Sequence, residues 1–299
     1  MTENGKIEPP FSLNKMKRRD FLKALITSVV VGGFAPSRVL AEIENFSPVT
    51  QLQNCDHCIK DYLHKMQNFN KPHAKDVYLD RKQYRLLKSC LQRLKRLQQT
   101  VGYGNFHLLS FDDTIKVAHD YSRVGRFSKE ELDFLEMIFY YDPALYGFLG
   151  KKPVKNLCAR IDRKKVVKVP HSGNHLYKGL PLEIYRKIKR ELGDQVILTS
   201  GVRSIVKQFL LFLNKTYISN GNLSLASRSL APPGYSFHGI SDFDVGQAGF
   251  GAANFTDRFV TTEVYGRLKD LGYLQLRYPQ SNMMGVRFEP WHIKVNSKA

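Results

Sequence analysis

The chain has few of several residue types, and each scarcity excludes or disfavours a class of protein. Its 299 residues include only four cysteines and one tryptophan, and so few cysteines exclude a disulfide-dense scaffold. No run of roughly 18 or more apolar residues occurs, which argues against a membrane-spanning helix. Acidic residues are scarce, since 27 Asp and Glu stand against 46 Lys and Arg, for a formal net charge of +19. This surplus leaves the fold open but favours an anionic partner.

The composition that remains is that of a folded protein. Hydrophobic residues make up 42% of the chain and charged residues 24%, which excludes wholesale disorder. The length is enough for one large domain or two smaller ones with a real core.

The N-terminal segment resembles an export signal. A basic stretch, Lys15–Lys23, precedes a short apolar stretch, Ala24–Ala35, and Val39–Ala41 offers small or apolar residues for cleavage. The Arg-Arg-x-Phe-Leu-Lys string from Arg18 resembles the twin-arginine signal of bacteria. We therefore expect residues 1–41 to be removed and the mature protein to lie in the periplasm, with no stable membrane insertion and no nucleic-acid partner. A cytosolic basic amphipathic helix is the alternative.

An oxidising compartment changes what the cysteines predict. Cys55, Cys58, Cys90 and Cys158 are expected to form structural disulfides there. Three pairings are possible, and the sequence does not choose among them.

The mature chain divides into two unlike parts. Residues 42–165 are predicted to form a helical accessory domain, because leucines recur at three- and four-residue steps from Leu87 to Leu97 and Ser128–Glu131 is typical of a capping box. Residues 166–299 are predicted to form an α+β domain with a small antiparallel sheet and flanking helices. Its expected helices are 182–192, 205–218 and 262–271, and its expected strands are 196–198, 274–278, 285–288 and 293–295.

Two clusters in the second part carry chemistry. Residues 233–245 contain Ser236, His238, Asp242 and Asp244, and residues 289–292 are Glu-Pro-Trp-His. A catalytic zinc site has three protein ligands and an open position for water, and a carboxylate outside the ligand set acts as base. His238, an aspartate and His292 would fill this ligand set, with Glu289 as base. The chain must turn between His238 and Asp244, because an extended strand would separate them by about 20 Å.

These clusters resemble the VanY-type zinc D-alanyl-D-alanine carboxypeptidases, a group related to hedgehog-type folds. The resemblance covers about residues 175–295. It also includes Thr199–Ser204 with Gln208, which resembles the family's Ser-Gly-Tyr-Arg-Ser…Gln, together with Leu276–Pro279 and Gly285–His292.

The resemblance implies a role for each matching residue. His238, Asp244 and His292 would bind Zn²⁺, and Asp242 is the alternative ligand. Glu289 would be the catalytic base, and Arg203 would anchor the substrate. The remaining matches are Gln208 and Ser236 as substrate contacts. Apart from the resemblance, we expect Trp291, next to His292, to wall the site and orient that ring.

The spacing departs from the family in one place. The family has six residues between the histidine and the aspartate, with an internal glycine and alanine. His238 and Asp244 have five between them, with neither residue at the family's positions.

The sequence therefore predicts an exported zinc metallopeptidase that hydrolyses the terminal D-Ala-D-Ala bond of peptidoglycan stem peptides. Alternatives are a D,D-dipeptidase, an endopeptidase that cuts cross-links, and a non-catalytic envelope-binding protein on the same fold. The shortened spacing and the basic surface motivate the last of these.

Overall fold

The computed structural model describes residues 56–296, with side chains from residue 61 on, and these residues belong to one compact unit. The predicted export signal, residues 1–41, lies outside the described residues. No helix within the described range combines the length and the apolar character that a membrane crossing requires.

Helices dominate the first half of the described chain and alternate with short strands in the second. The helices are α1 (Asp56–Gln67), α2 (Arg81–Val101), α3 (Tyr103–Phe106), α4 (Phe111–Asp120), α5 (Lys129–Tyr140), α6 (Leu180–Leu192), α7 (Ile205–Ile218), α8 (Leu223–Ser227) and α9 (Glu263–Asp270). The strands are β1 (Val166–Lys168), β2 (His175–Tyr177), β3 (Val196–Ser200), β4 (Phe243–Gln247) and β5 (His292–Ile293). Short 3₁₀ turns include Phe237–Gly239, which precedes β4.

The predicted helix start at Ser128 is confirmed. The Ser128 hydroxyl accepts a hydrogen bond from the backbone N–H of Glu131, and the Glu131 carboxylate accepts one from the backbone N–H of Ser128. This reciprocal capping satisfies N–H groups that the first turn of α5 would otherwise leave unpaired. The predicted leucine stripe of α2 is confirmed as well, since Leu87, Leu91, Leu94 and Leu97 are all buried.

The larger of two main hydrophobic clusters joins both halves of the chain. It contains buried residues of α2, α4 and α5 together with Phe209, Phe212 and Leu213 of α7. The predicted boundary at residue 165 stays a prediction, and the helices on its two sides pack on this common core.

The second cluster surrounds a three-stranded antiparallel sheet in the order β3-β4-β5. Helices α6 and α9 cover it with Ile188, Leu192, Val264 and Leu268. Strands β1 and β2 form a separate antiparallel pair. The fold is therefore α+β with small antiparallel sheets, as the sequence predicts.

Two of the predicted strands are wrong. Residues 274–278 and 285–288 form no strand in the structure, and only Leu276 makes an isolated bridge, to Ile293. The physical reason is that the backbone there reaches β5 only at separate points, such as the Lys294 N–H to the Gln275 carbonyl at 2.7 Å. The predicted strand 293–295 is displaced to His292–Ile293.

The expected disulfides are also wrong where the structure describes the cysteines. Cys90 and Cys158 are free thiols. Cys90 faces the core from α2, and its Sγ donates to the Glu131 carbonyl at 3.7 Å, whereas Cys158 is exposed. The side chains of Cys55 and Cys58 lie outside the described residues.

Candidate metal centre

The register of the small sheet places an aspartate opposite a histidine. Strand β4 pairs with β5 so that Asp244 lies directly across from His292, and it pairs with β3 so that Asp244 lies across from Ser200. Side chains alternate along a strand. Phe243 and Val245 therefore enter the core on one face, and Asp244 projects from the other.

A tight turn brings His238 to the same place. The backbone N–H groups of Ile240, Ser241 and Asp242 all point at the Phe237 carbonyl, at 3.0 to 3.2 Å. This turn returns the chain into β4 within five residues of His238. The shortened spacing between His238 and Asp244 thus still brings their side chains together, with His238 Nε2 3.2 Å from Asp244 Oδ1.

Three ligand atoms converge, one each from His238, Asp244 and His292, and all lie within 4.8 Å of one another. His238 Nδ1 donates to the Gly201 carbonyl at 2.8 Å, so its hydrogen is on Nδ1 and Nε2 carries a lone pair. His238 Nε2 and Asp244 Oδ1 are buried without a hydrogen-bond partner. Buried polar atoms without partners are rare, and two of them facing each other fit a divalent cation such as zinc.

The ring of His292 turns its other nitrogen toward the same point. His292 Nε2 donates to Asp242 Oδ2 at 3.0 Å, which leaves Nδ1 facing Asp244 Oδ1 at 3.6 Å and Glu289 Oε2 at 3.2 Å. The predicted ligands and the predicted base therefore lie around one point, and all four side chains are buried.

The electrostatics of this group favour a positive charge at its centre. Burial would raise the pKa of Asp244, but the neighbouring His238 and Arg203 outweigh it and hold that pKa well below its usual range. Burial would lower the pKa of His292, yet hydrogen bonds with Asp242 and Glu289 and the charge of Asp244 raise it to about 9. The carboxylates thus attract a cation into the space between them.

Asp242 and Asp244 differ in which oxygens are free. Asp242 accepts from Arg277 Nε and His292 Nε2 on one oxygen, and from Arg277 Nη2, the Val295 N–H and the Ser241 hydroxyl on the other. Both oxygens are fully used, whereas Asp244 keeps Oδ1 free. Of the two aspartates, Asp244 has the geometry of a ligand.

Comparison with known proteins agrees with this geometry. Residues 182–297 match the family model described as VanY, D-alanyl-D-alanine carboxypeptidase. We call this matched part, residues 182–297, the VanY-type domain after its similarity to the family. No curated protein matches the chain significantly.

Solved structures show partial likeness. One is the LdcB LD-carboxypeptidase, at 20% identity and a TM-score of 0.36, covering 45% of this chain and 69% of that one. Another is a mutant of the vancomycin-resistance D,D-pentapeptidase VanY with Zn(II), at 25% identity and a TM-score of 0.34, covering 42% and 75%. VanYB with D-alanine-D-alanine gives 24% identity, a TM-score of 0.34, and coverage of 42% and 74%.

Arg203 of the VanY-type domain lies beside the candidate ligands rather than apart from them. Its Nη2 donates to Asp244 Oδ2 at 2.6 Å and its Nε donates to the Ser200 hydroxyl at 2.8 Å. Its Nη1 makes no hydrogen bond with the described residues, and the side chain lines a cleft that Glu289 also lines. Arg203 can therefore orient Asp244 and still offer one nitrogen to a substrate.

Gln208 and Ser236 line the same cleft of the VanY-type domain. Gln208 already donates to the Arg203 carbonyl at 3.0 Å and accepts from the Gly234 N–H at 2.8 Å, so it braces two loops of the cleft. The hydroxyl of Ser236 makes no hydrogen bond within the described part of the chain, and it is free to contact a substrate.

Trp291 does not line the cleft of the VanY-type domain. Its indole packs edge-on to Phe255, with ring centroids 6.1 Å apart, and under the guanidinium of Arg287 at 4.8 Å. Its carbonyl accepts the Val245 N–H at 3.0 Å. Trp291 can thus fix the position of its neighbour His292 through the core and the sheet.

Sequence reasoning missed two residues beside His292. Arg277 clamps Asp242 with two hydrogen bonds, and the ring of Tyr278 lies edge-on to His292 at 5.4 Å and lines the cleft. The Leu276–Pro279 string resembles the family's, but nothing in its spacing predicts that it packs against His292.

Proposed function

We propose that the chain is an exported zinc-dependent D,D-carboxypeptidase that removes the terminal D-alanine from peptidoglycan stem peptides. The observation that carries the proposal is the convergence of two unpartnered buried atoms, His238 Nε2 and Asp244 Oδ1, on Nδ1 of His292, with Glu289 beside them. The match of residues 182–297 to the VanY family model supports it.

His238, Asp244 and His292 would hold the zinc ion. Zinc in such a site supplies a Lewis acid that polarises a carbonyl and lowers the pKa of a water molecule. Glu289 lies outside this ligand set, with Oε2 3.2 Å from His292 Nδ1. Its carboxylate would take a proton from the attacking water and pass it to the amine that leaves.

The cleft would bind the end of a peptide. A C-terminal carboxylate can accept a hydrogen bond from the free Nη1 of Arg203, and this charge-assisted contact selects chains with a free terminus. Leu211, Leu230 and Ala231 add apolar surface to the cleft, which suits a small side chain such as that of alanine. The Ser236 hydroxyl is available to the peptide backbone.

The proposed location follows from the sequence. The twin-arginine-like string at Arg18 predicts export. The residues after 41 have 39 Lys and Arg against 24 Asp and Glu, and this net charge of +15 favours the anionic bacterial envelope over a neutral surface.

The experiment is digestion of purified muropeptides by the zinc-loaded mature protein, with the products identified by mass spectrometry. Release of one alanine from a pentapeptide stem is expected. Glu289→Gln should lower the rate by about 10² or more, because it removes the general base, and the exposed Glu191→Gln should leave it unchanged. Equal rates for wild type and Glu289→Gln would overturn the proposed mechanism.

The same digestion separates the other functions. Release of the dipeptide D-Ala-D-Ala would indicate a D,D-dipeptidase, and cleaved cross-links would indicate an endopeptidase. Binding to peptidoglycan that persists after chelation, with no product, would indicate a non-catalytic envelope-binding protein.

A further inference from the structure

Asp242 takes up an unusual number of hydrogen bonds for a residue that binds neither substrate nor metal. Its side chain is 1% exposed, and both oxygens accept donors from four other residues. Such a carboxylate is costly to bury, and its Arg277 clamp compensates for that cost. One of the donors, His292 Nε2 at 3.0 Å, belongs to a candidate metal ligand.

The Arg277 side chain is itself held in place. Its guanidinium lies over the ring of Phe237, 3.7 Å from the centroid, and it grips Asp242 with Nε at 2.8 Å and Nη2 at 3.1 Å. Phe237 precedes His238 in the turn that leads to β4. Phe237, Arg277, Asp242 and His292 therefore form one continuous line of contacts, which we call the Asp242 clamp.

The clamp bears on which nitrogen of His292 can bind a metal. A carboxylate accepts hydrogen bonds and donates none when ionised, so the nitrogen that faces Asp242 must carry a hydrogen. Nδ1 also faces carboxylates, Asp244 at 3.6 Å and Glu289 at 3.2 Å, and a cation held among them would take the place of a hydrogen there. His292 would then keep one hydrogen, which the 3.0 Å contact with Asp242 places on Nε2, so that the lone pair is on Nδ1. The opposite arrangement holds at His238, where Nδ1 donates to a carbonyl and Nε2 is the free atom.

We infer that Asp242 is a positioning residue for the metal, which fixes His292 in the tautomer that presents Nδ1 and holds the ring in the ligating orientation. The inference rests on the proposed function, since it assumes that His238, Asp244 and His292 bind zinc. It also assigns a role to a residue that the sequence offered only as an alternative ligand. Partners of this kind commonly change metal affinity 10- to 100-fold.

An amide at position 242 tests the inference because of the donors around it. In Asp242→Asn, an NH₂ group on the Oδ1 side would face Arg277 Nη2 and the Val295 N–H, both of which are donors. An NH₂ group on the Oδ2 side would face Arg277 Nε and His292 Nε2. On the Oδ1 side the Ser241 hydroxyl can accept, but two N–H donors would still face the amide there. On the Oδ2 side only His292 can become an acceptor, by moving its hydrogen to Nδ1. That change removes the metal-binding lone pair.

The experiment measures zinc dissociation constants by competition with a chromogenic chelator. Asp242→Asn should raise the constant about 10- to 100-fold. Arg277→Lys keeps a positive charge but loses the two-pronged grip, so it should raise the constant less. The matched control is Glu131→Gln, because Glu131 is a buried carboxylate held by Arg93 and neither residue lines the cleft, so this change should leave the zinc constant unchanged.

Long-range ¹H–¹⁵N spectra of histidine-labelled, zinc-loaded protein give a second readout, which a merely structural role would not move. The two ligand histidines should occupy opposite tautomers, Nδ1–H at His238 and Nε2–H at His292. Arg277→Lys retains the Asp242 acceptor, so it keeps this test valid even if Asp242→Asn fails to fold.

The outcomes are distinguishable. A wild-type protein that binds no zinc would overturn the proposed function and the inference together. Zinc binding by wild type, with the same dissociation constant in Asp242→Asn or with Nδ1–H at His292, would overturn the inference alone.

Discussion

Asp244 and His292 lie directly opposite each other in the β4–β5 pair, with Oδ1 3.6 Å from Nδ1. Adjacent antiparallel strands fix such a pair more firmly than a loop would, because the backbone hydrogen bonds set the register. The candidate site is therefore built on the sheet, and the tight turn after Phe237 brings His238 to it.

Arg203 is expected to serve both Asp244 and the substrate terminus. Arg203→Lys keeps a charge but cannot reproduce the contacts of Nε and Nη2 together with a free Nη1. We expect kcat/KM for pentapeptide to fall roughly 100-fold, since about 3 kcal/mol of charge-assisted hydrogen bonding is lost. Steady-state kinetics on a peptide with a free C-terminus measures this.

A C-terminally amidated peptide is the control for Arg203. Wild type should discriminate strongly against the amide, and Arg203→Lys should discriminate less. Unchanged discrimination would mean that Arg203 does not contact the terminal carboxylate.

Gly201 is expected to tolerate no side chain. A Cβ at this position would collide with the His175 carbonyl oxygen, which accepts the neighbouring Val202 N–H at 2.8 Å. Gly201→Ala should lower the free energy of unfolding by about 1–3 kcal/mol through overpacking. It should also weaken zinc binding, because the Gly201 carbonyl accepts His238 Nδ1.

The matched change is Gly266→Ala in α9, where a Cβ meets no atom within 4 Å. There alanine should stabilise the helix by up to about 1 kcal/mol. Urea unfolding measures both variants, and equal stability of Gly201→Ala and wild type would contradict the packing described here.

Glu131 is expected to make part of the free energy of unfolding depend on pH in the acid range. Burial would raise its pKa, but hydrogen bonds from Ser89, from the Ser128 N–H and from Arg93 outweigh burial and lower the pKa below 4.5. A lowered carboxyl pKa stabilises the fold above the unfolded value and loses this contribution as the pH falls through the folded value. Glu131→Gln should cost about 2 kcal/mol at pH 7.

The difference between wild type and Glu131→Gln should shrink as the pH falls below about 4.5, the ordinary value for Glu. Urea unfolding at a series of pH values measures it. A difference that stays constant down to pH 3.5 would show that the charge of Glu131 adds nothing.

The thiols test the absence of disulfides at Cys90 and Cys158. Burial raises the pKa of Cys90, and a hydrogen bond with Asp112, together with burial, raises that of Cys158 to about 11. In native protein at pH 8, iodoacetamide should label Cys158 slowly and Cys90 not at all, because the thiolate is the reactive form.

Unfolding without reductant should expose both thiols to iodoacetamide, as peptide mapping would record. Labelling of either residue that requires reductant would restore the disulfide prediction.

The sequence predicted the helices well where caps and apolar periodicity agree. Helix α7 has the predicted bounds, Ile205–Ile218. Ser204 caps its N-terminus, because the Ser204 hydroxyl accepts the Lys207 N–H. Strand β4 was not predicted, because Asp244 and Gly246, two residue types that are depleted in strands, interrupt Phe243–Gln247. Its pairing with β3 on one side and β5 on the other holds this segment in a strand.

The sequence predicted the group of candidate ligands, but it did not decide between Asp242 and Asp244 as the aspartate that binds the metal. Asp242 and Asp244 are two residues apart, so both can approach His292, and sequence spacing does not say which side of the ring each one occupies. The register of β4 with β5 and the donors around Asp242 decide this, and both depend on residues 35 to 53 positions away. Arg277 is 35 residues from Asp242, and for the same reason its hydrogen bonds with Asp242 could not be predicted from the sequence.

The most direct test of the account is an anomalous-difference map from crystals of the zinc-loaded protein, recorded at the zinc absorption edge. We predict one peak, coordinated by His238 Nε2, Asp244 Oδ1 and His292 Nδ1, with Glu289 and Asp242 outside the ligand set. A peak coordinated by Asp242, or no peak among these side chains, would contradict the account.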